Sequence, residues 1–154
     1  MKLIYTLTIF VLVSTQSFAQ NFKELVTYSF ATPEDYVKAE PKVLEAVNYL
    51  FTTPIVKDDL NRMIANQFIF KWMEGTEYTF NVSVETTELT DGNTNLFGMF
   101  LAGMSKIVLT HKDQSLTDTE INEQVTQMIV AYCKVPSNNA KPTKKIKKLM
   151  KGEN

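Results

Sequence analysis

One cysteine, one histidine and one tryptophan stand among 154 residues, and these scarcities exclude several chemistries. With Cys133 alone no intrachain disulfide can form, so stability must come from packing. His111 has no second histidine and no nearby cysteine with which to build a zinc site, so no metal is expected. A Ser-His-Asp relay would also have to pass through His111, and no Gly-x-Ser-x-Gly elbow is present. Walker, Gly-x-Gly-x-x-Gly, His-Glu-x-x-His and Cys-x-x-Cys patterns are absent as well, so no cofactor is expected. No apolar run reaches the roughly 20 residues of a membrane-spanning helix. These gaps point to a non-enzymatic protein.

The beginning of the chain reads as an export signal. Lys2 supplies the positive start, Leu3 to Val13 the apolar segment, and Ser17-Phe18-Ala19 a small-x-small cleavage site. Residues 1–19 are therefore expected to be a cleavable signal peptide, 20–135 a single helical domain, and 136–154 a linker with a Lys-rich tail. The protein is expected to be exported, to the periplasm or beyond. Hydrophobic residues make up 44% of the chain and charged ones 21%, a globular balance rather than a disordered one. Charge is unevenly placed: residues 21–140 hold 9 basic and 16 acidic groups, net −7, whereas the last segment sets six lysines against Glu153. An acidic body of this kind excludes nucleic acid as its partner. The lysine tail allows weak contact with anionic envelope components, on the order of 1 kcal/mol per lysine at such a surface.

Apolar spacing gives the fold class, an all-α compact bundle or short stack of about five helices joined as αα-hairpins. Thr32-Pro33-Glu34-Asp35 has the residues of a helix start, and Pro41 is expected to interrupt or restart that helix, leaving a second one from about Lys42 to Thr52. Asp59 to Met73 is the densest apolar stretch, with Leu60, Ile64, Phe68 and Trp72 on one row. It is expected to be the buried hub, closed by Gly75 as a left-handed cap. Leu96 to Thr110 is nearly all apolar, and its small residues Gly98, Ala102, Gly103 and Ser105 predict close packing against that hub. Thr117-Asp118-Thr119-Glu120 fits a capping box ahead of the amphipathic series Ile121, Val125, Met128, Ile129 and Tyr132. Between these, Tyr78, Phe80, Val82 and Val84 alternate with polar residues as a strand would, yet a two-stranded sheet is marginal, and a short helix capped near Asn81 and running to about Thr90 is preferred.

A set of residues in order, Tyr28-Ser29-Phe30, Thr32-Pro33, Tyr49-Leu50, Asn61-Arg62, Ala65 with Phe68, Lys71-Trp72-Met73, Gly75-Thr76 and Tyr78-Thr79-Phe80, resembles a group of small exported helical proteins of unknown function from Gram-negative bacteria. The resemblance covers nearly the whole chain after residue 20. It implies export, a helical fold and a helical segment after the Tyr-Thr-Phe, and it brings no catalytic residues.

Most of the remaining polar residues are expected to have local roles. His111 is expected to sit at a helix C-terminus and Cys133 to be a buried thiol. Asp91, Asn93 and Asn95 start a calcium-loop pattern that fails at Leu96 and Ala102. Glu74, Glu77, Glu85 and Glu88 read as surface carboxylates. Asn61, Arg62 and Trp72 are the candidate partner-binding residues, because arginine and aromatic side chains are effective anchors for a peptide or protein partner. The competing expectation is a carrier of a small apolar ligand, which needs a cavity in the helical core.

Overall fold

The computed structural model describes residues 22–153, and among them every regular element is helical: α1 (Lys23–Val26), α2 (Pro33–Thr52), α3 (Leu60–Gly75), α4 (Val84–Thr90), α5 (Thr94–Thr110), α6 (Asp118–Cys133) and α7 (Lys144–Met150), with one 3-10 turn at Pro136–Asn138. No strand occurs among the described residues, and the chain folds as a compact helical bundle. The expected signal peptide, 1–19, lies outside the described residues.

Pro41 does not divide the first long helix. The buried stripe Ala39, Val43, Ala46, Val47 and Leu50 runs through it at helical spacing. Proline removes the bond to the carbonyl of Val37, but Val37 and Pro41 both face solvent, where that group is open to hydration. The helix start follows the sequence. Asp35 accepts the backbone N–H groups of Thr32 at 2.9 Å and Ala31 at 3.1 Å, and Glu120 likewise accepts Thr117 N–H at 2.8 Å at the start of α6.

These bonds stabilise the ionised carboxylates and hold Asp35 below its ordinary value of 3.8 and Glu120 below 4.5. A depressed carboxyl lends stability that is complete above its unfolded value and is lost as pH falls through its folded one. An Asp35→Asn, Glu120→Gln double variant is therefore expected to show a flatter fall of Tm below about pH 4.5 than the wild type, and an unchanged acid limb would refute this.

The central element is α5 rather than α3. Ten of its residues are buried, from Leu96 to Leu109, and it packs on α2, α3, α4 and α6. By contrast α3 leaves Leu60, Met63 and Phe70 about half exposed, because its polar residues share the same surface and α2, α5 and α1 cover only the Ile64, Ala65, Phe68, Ile69 and Trp72 side. The small residues of α5 serve two neighbours. A Cβ on Gly98 would lie 2.4 Å from Asn66 Oδ1 of α3, and one on Gly103 would lie 2.7 Å from Val125 Cγ1 of α6.

Gly103→Ala is expected to cost about 1–2 kcal/mol, because overpacking against a stiff β-branched neighbour outweighs the helix propensity gained. Urea unfolding of Gly103→Ala, Val125→Ala and the double variant tests it, and additivity in that cycle would contradict the contact.

Gly75 is not a left-handed cap. It is the last residue of α3, followed by an extended Thr76, and its missing side chain makes room for the Tyr36 ring, whose hydroxyl would stand 2.1 Å from a Cβ there. The segment after it explains the period-2 pattern. Tyr78 and Phe80 turn inward and set their rings 5.8 and 6.0 Å from Trp72, while Thr79 and Asn81 face water. Tyr78 also donates to Glu40 Oε1 at 3.3 Å, and Lys112 donates to the other oxygen of Glu40. The pattern thus belongs to a non-helical strap, and the preferred helix follows it, capped by Ser83 rather than Asn81 and ending at Thr90.

The end of the chain is part of the bundle. Asn138 accepts Ile55 N–H at 2.8 Å through its carbonyl, Thr143 donates to the Leu89 carbonyl at 2.8 Å, and Ile146 of α7 is completely buried. α7 packs against α4 and α6.

Candidate functional site

Arg62 and Trp72 are core residues, not exposed anchors. Asp59 caps α3 by accepting Arg62 N–H at 2.9 Å, which fixes the first turn and directs the Arg62 side chain toward the C-terminal end of α2. That end carries carbonyls with no helical partner. Arg62 Nη2 donates to the carbonyls of Thr53 at 2.8 Å and Leu50 at 3.2 Å, and the side chain is only 4% exposed. Tyr132 from α6 closes the group, its hydroxyl donating to the Thr53 carbonyl at 2.6 Å. Tyr49 donates to Asp59 at 3.0 Å, and Asp59 lies 3.9 Å from Arg62 Nε. Burial pushes up the pKa of both tyrosines, foremost in each case, so both remain neutral donors at neutral pH.

Trp72 lies ten residues beyond Arg62, about 15 Å along the helix. It is fully buried and donates from Nε1 to the Tyr36 carbonyl at 3.0 Å. Asn61 is half-buried beside Arg62. The three residues therefore do not form one binding set, because the apolar face of α3 turns Trp72 into the core and the open carbonyls of α2 draw Arg62 inward.

A different group does come together above Arg62. Half-exposed Val56, Leu60 and Met63 rim a groove of about 510 Å³ whose other walls are Asp59, Asn66 and Asn95, with Arg62 among its lining. The groove continues into a second cleft of about 670 Å³ that shares Val56, Lys57 and Asn95 and runs on to Asn93, Asn139 and Lys141. Arg62 Nε and Nη1 have no hydrogen-bond acceptor. A further groove of about 820 Å³ runs along α6 past Asn122 and Leu149, but its rim is carboxylate-rich, with Glu85, Asp118 and Glu123. Apolar side chains open to water mark the first groove as the better receptor.

The other candidate groups are engaged locally. His111 Nδ1 lies 2.9 Å from the Ile107 carbonyl at the end of α5. Cys133 is buried, and burial raises its pKa, which keeps the thiol protonated and unreactive at neutral pH. Asn93 caps α5 by accepting Leu96 N–H at 3.2 Å and donates to the Lys141 carbonyl at 3.0 Å. Glu88 pairs with Lys145 at 3.2 Å, and Glu74, Glu77 and Glu85 face solvent. Among the described residues no three His, Cys, Asp or Glu side chains gather as a metal-binding group. The interior is filled by Trp72, Phe100, Ile69, Leu96 and Met99, each almost wholly buried, and the grooves described above open to solvent. No protein-family model, curated protein or solved structure matches this chain.

In the sequence, nothing marks Val56, Leu60, Met63, Asn66 and Asn95 as neighbours in one groove. Leu60 and Met63 lie in an apolar helix, and only the placement of α2 and α5 decides which of its faces stays open.

Proposed function

We propose that this is an exported, non-enzymatic helical protein that binds a protein or peptide partner in the cell envelope through the groove at the start of α3. Export rests on Lys2, the apolar Leu3 to Val13 segment and the Ser17-Phe18-Ala19 site. The resemblance to small exported proteins of Gram-negative bacteria agrees with that placement. The observation that carries the binding reading is the row of Val56, Leu60 and Met63, each at least half exposed, beside the polar side chains of Asp59, Asn66 and Asn95. Apolar rim and polar walls suit an extended peptide, whose side chains seek the rim while its carbonyl oxygens seek N–H groups. The joined clefts give it length.

Selection of peptides from a displayed library on the protein, with counter-selection on a Leu60→Ser, Met63→Ser variant, tests this directly. Both side chains are half exposed, so the variant keeps its fold. Enriched peptides are expected to bind the wild type roughly tenfold or more tightly than the variant, about the worth of two apolar contacts. Equal binding, or no enrichment against wild type, overturns the groove as the site.

A further inference from the structure

The lysines at the end of the chain are displayed on an ordered helix. Ile146, fully buried, with half-buried Leu149 and Met150, forms the inner face of α7, one helical turn apart on the same side. Thr143 caps the helix by accepting Ile146 N–H at 3.2 Å and ties it to α4 through the Leu89 carbonyl. Lys145 is held by Glu88. The remaining positions, Lys144, Lys147, Lys148 and, at the cap, Lys151, follow the spacing i, i+3, i+4, i+7, so they share the outer face, and all four are exposed. Among the described residues no carboxylate pairs with any of them. Residues 21–140 carry a net −7, and of the acids nearest α7, Glu88 is taken up by Lys145 while Glu85, Asp118 and Glu123 border the groove on the Leu149 side.

We propose that the outer face of α7 is an electrostatic docking surface for an anionic lipid bilayer. Charge complementarity selects an anionic partner, and the chemistry of the face selects among anionic partners. No arginine and no aromatic residue occurs after Tyr132, so the face has neither the planar fork that reads phosphates bidentately nor a platform on which bases stack. Lysine ammonium groups on flexible stems are point charges, suited to a layer of mobile headgroups. The apolar side of α7 faces the core, so the helix rests on the headgroups without inserting.

Sedimentation of the full chain with vesicles of phosphatidylcholine, with or without phosphatidylglycerol, measures the proposal. The comparison variant is Lys144→Gln, Lys147→Gln, Lys148→Gln, Lys151→Gln, and a Lys38→Gln, Lys71→Gln variant removes two exposed lysines elsewhere. Partitioning is expected to need phosphatidylglycerol and to fall roughly a thousandfold in the fourfold variant. It is also expected to fall between about 0.1 and 1 M salt and to hold in the control. Binding that is indifferent to lipid charge, salt or the fourfold change would come from the apolar residues 3–13 and would overturn the proposal. Displacement from the vesicles by single-stranded DNA or an acidic polysaccharide at lower charge concentration would also overturn it, assigning the face to a soluble polymer.

Discussion

Arg62→Ala is expected to lower the free energy of unfolding by about 3–5 kcal/mol, the cost of breaking a buried charge pair from one side. The change would leave the Leu50 and Thr53 carbonyls with fewer donors, and would leave Asp59, whose side chain is 10% exposed, without its cation. Arg62→Lys should recover only part of the loss, because one ammonium cannot reach the carbonyls of α2 while staying beside Asp59. Urea unfolding followed by circular dichroism decides the matter. A loss below about 1 kcal/mol for the alanine variant would mean that the guanidinium is better solvated than its 4% exposure implies.

Trp72→Ala is expected to cost about 3–5 kcal/mol as well, by a different route. The side chain is fully buried and bears on the rings of Tyr78 and Phe80, so its removal opens a void between α3, α2 and the strap. It also frees the Tyr36 carbonyl. Trp72→Phe keeps most of the packing and gives up the Nε1 bond, and should cost roughly 1–2 kcal/mol. Since Trp72 is the only tryptophan, its emission in the wild type reports the loss of this packing, which should coincide with the loss of helicity. Emission that changes well before the helical signal would place Trp72 in a locally opening region and refute the prediction.

The sequence was most legible where a local bond decides the structure. The capping box at Thr117 and Glu120, the start at Thr32 and the amphipathic series of α6 are all found where their residues predict them, because each depends on neighbours within one turn. The all-helical class followed from the same signals. What failed was set by distant contacts. Pro41 was read as a break by its local rule, but the stripe from Ala39 to Leu50 finds α3 and α5 to pack on and carries the helix through. The alternation at Tyr78 and Phe80 is real, and its rings meet Trp72 where a strand would have needed a β partner. Arg62 and Trp72 carry the right chemistry for anchors, but sequence does not show that α2 ends beside Arg62. The groove over Arg62 needed the arrangement of α2, α3 and α5 before Leu60 and Met63 could be told from core.

The cluster around Arg62 also constrains the order in which the chain folds. Its members come from residues 49–62 and from Tyr132 and Asn138, with Thr53 and Tyr132 79 positions apart. An α2–α3 hairpin formed alone would cover the guanidinium before the Tyr132 hydroxyl and the 136–138 turn were in place, so that hairpin has little reason to persist until α6 docks. The helices therefore become mutually dependent at this point, so weakening the Tyr132 side of the cluster should destabilise α2, α3 and α6 together in one transition.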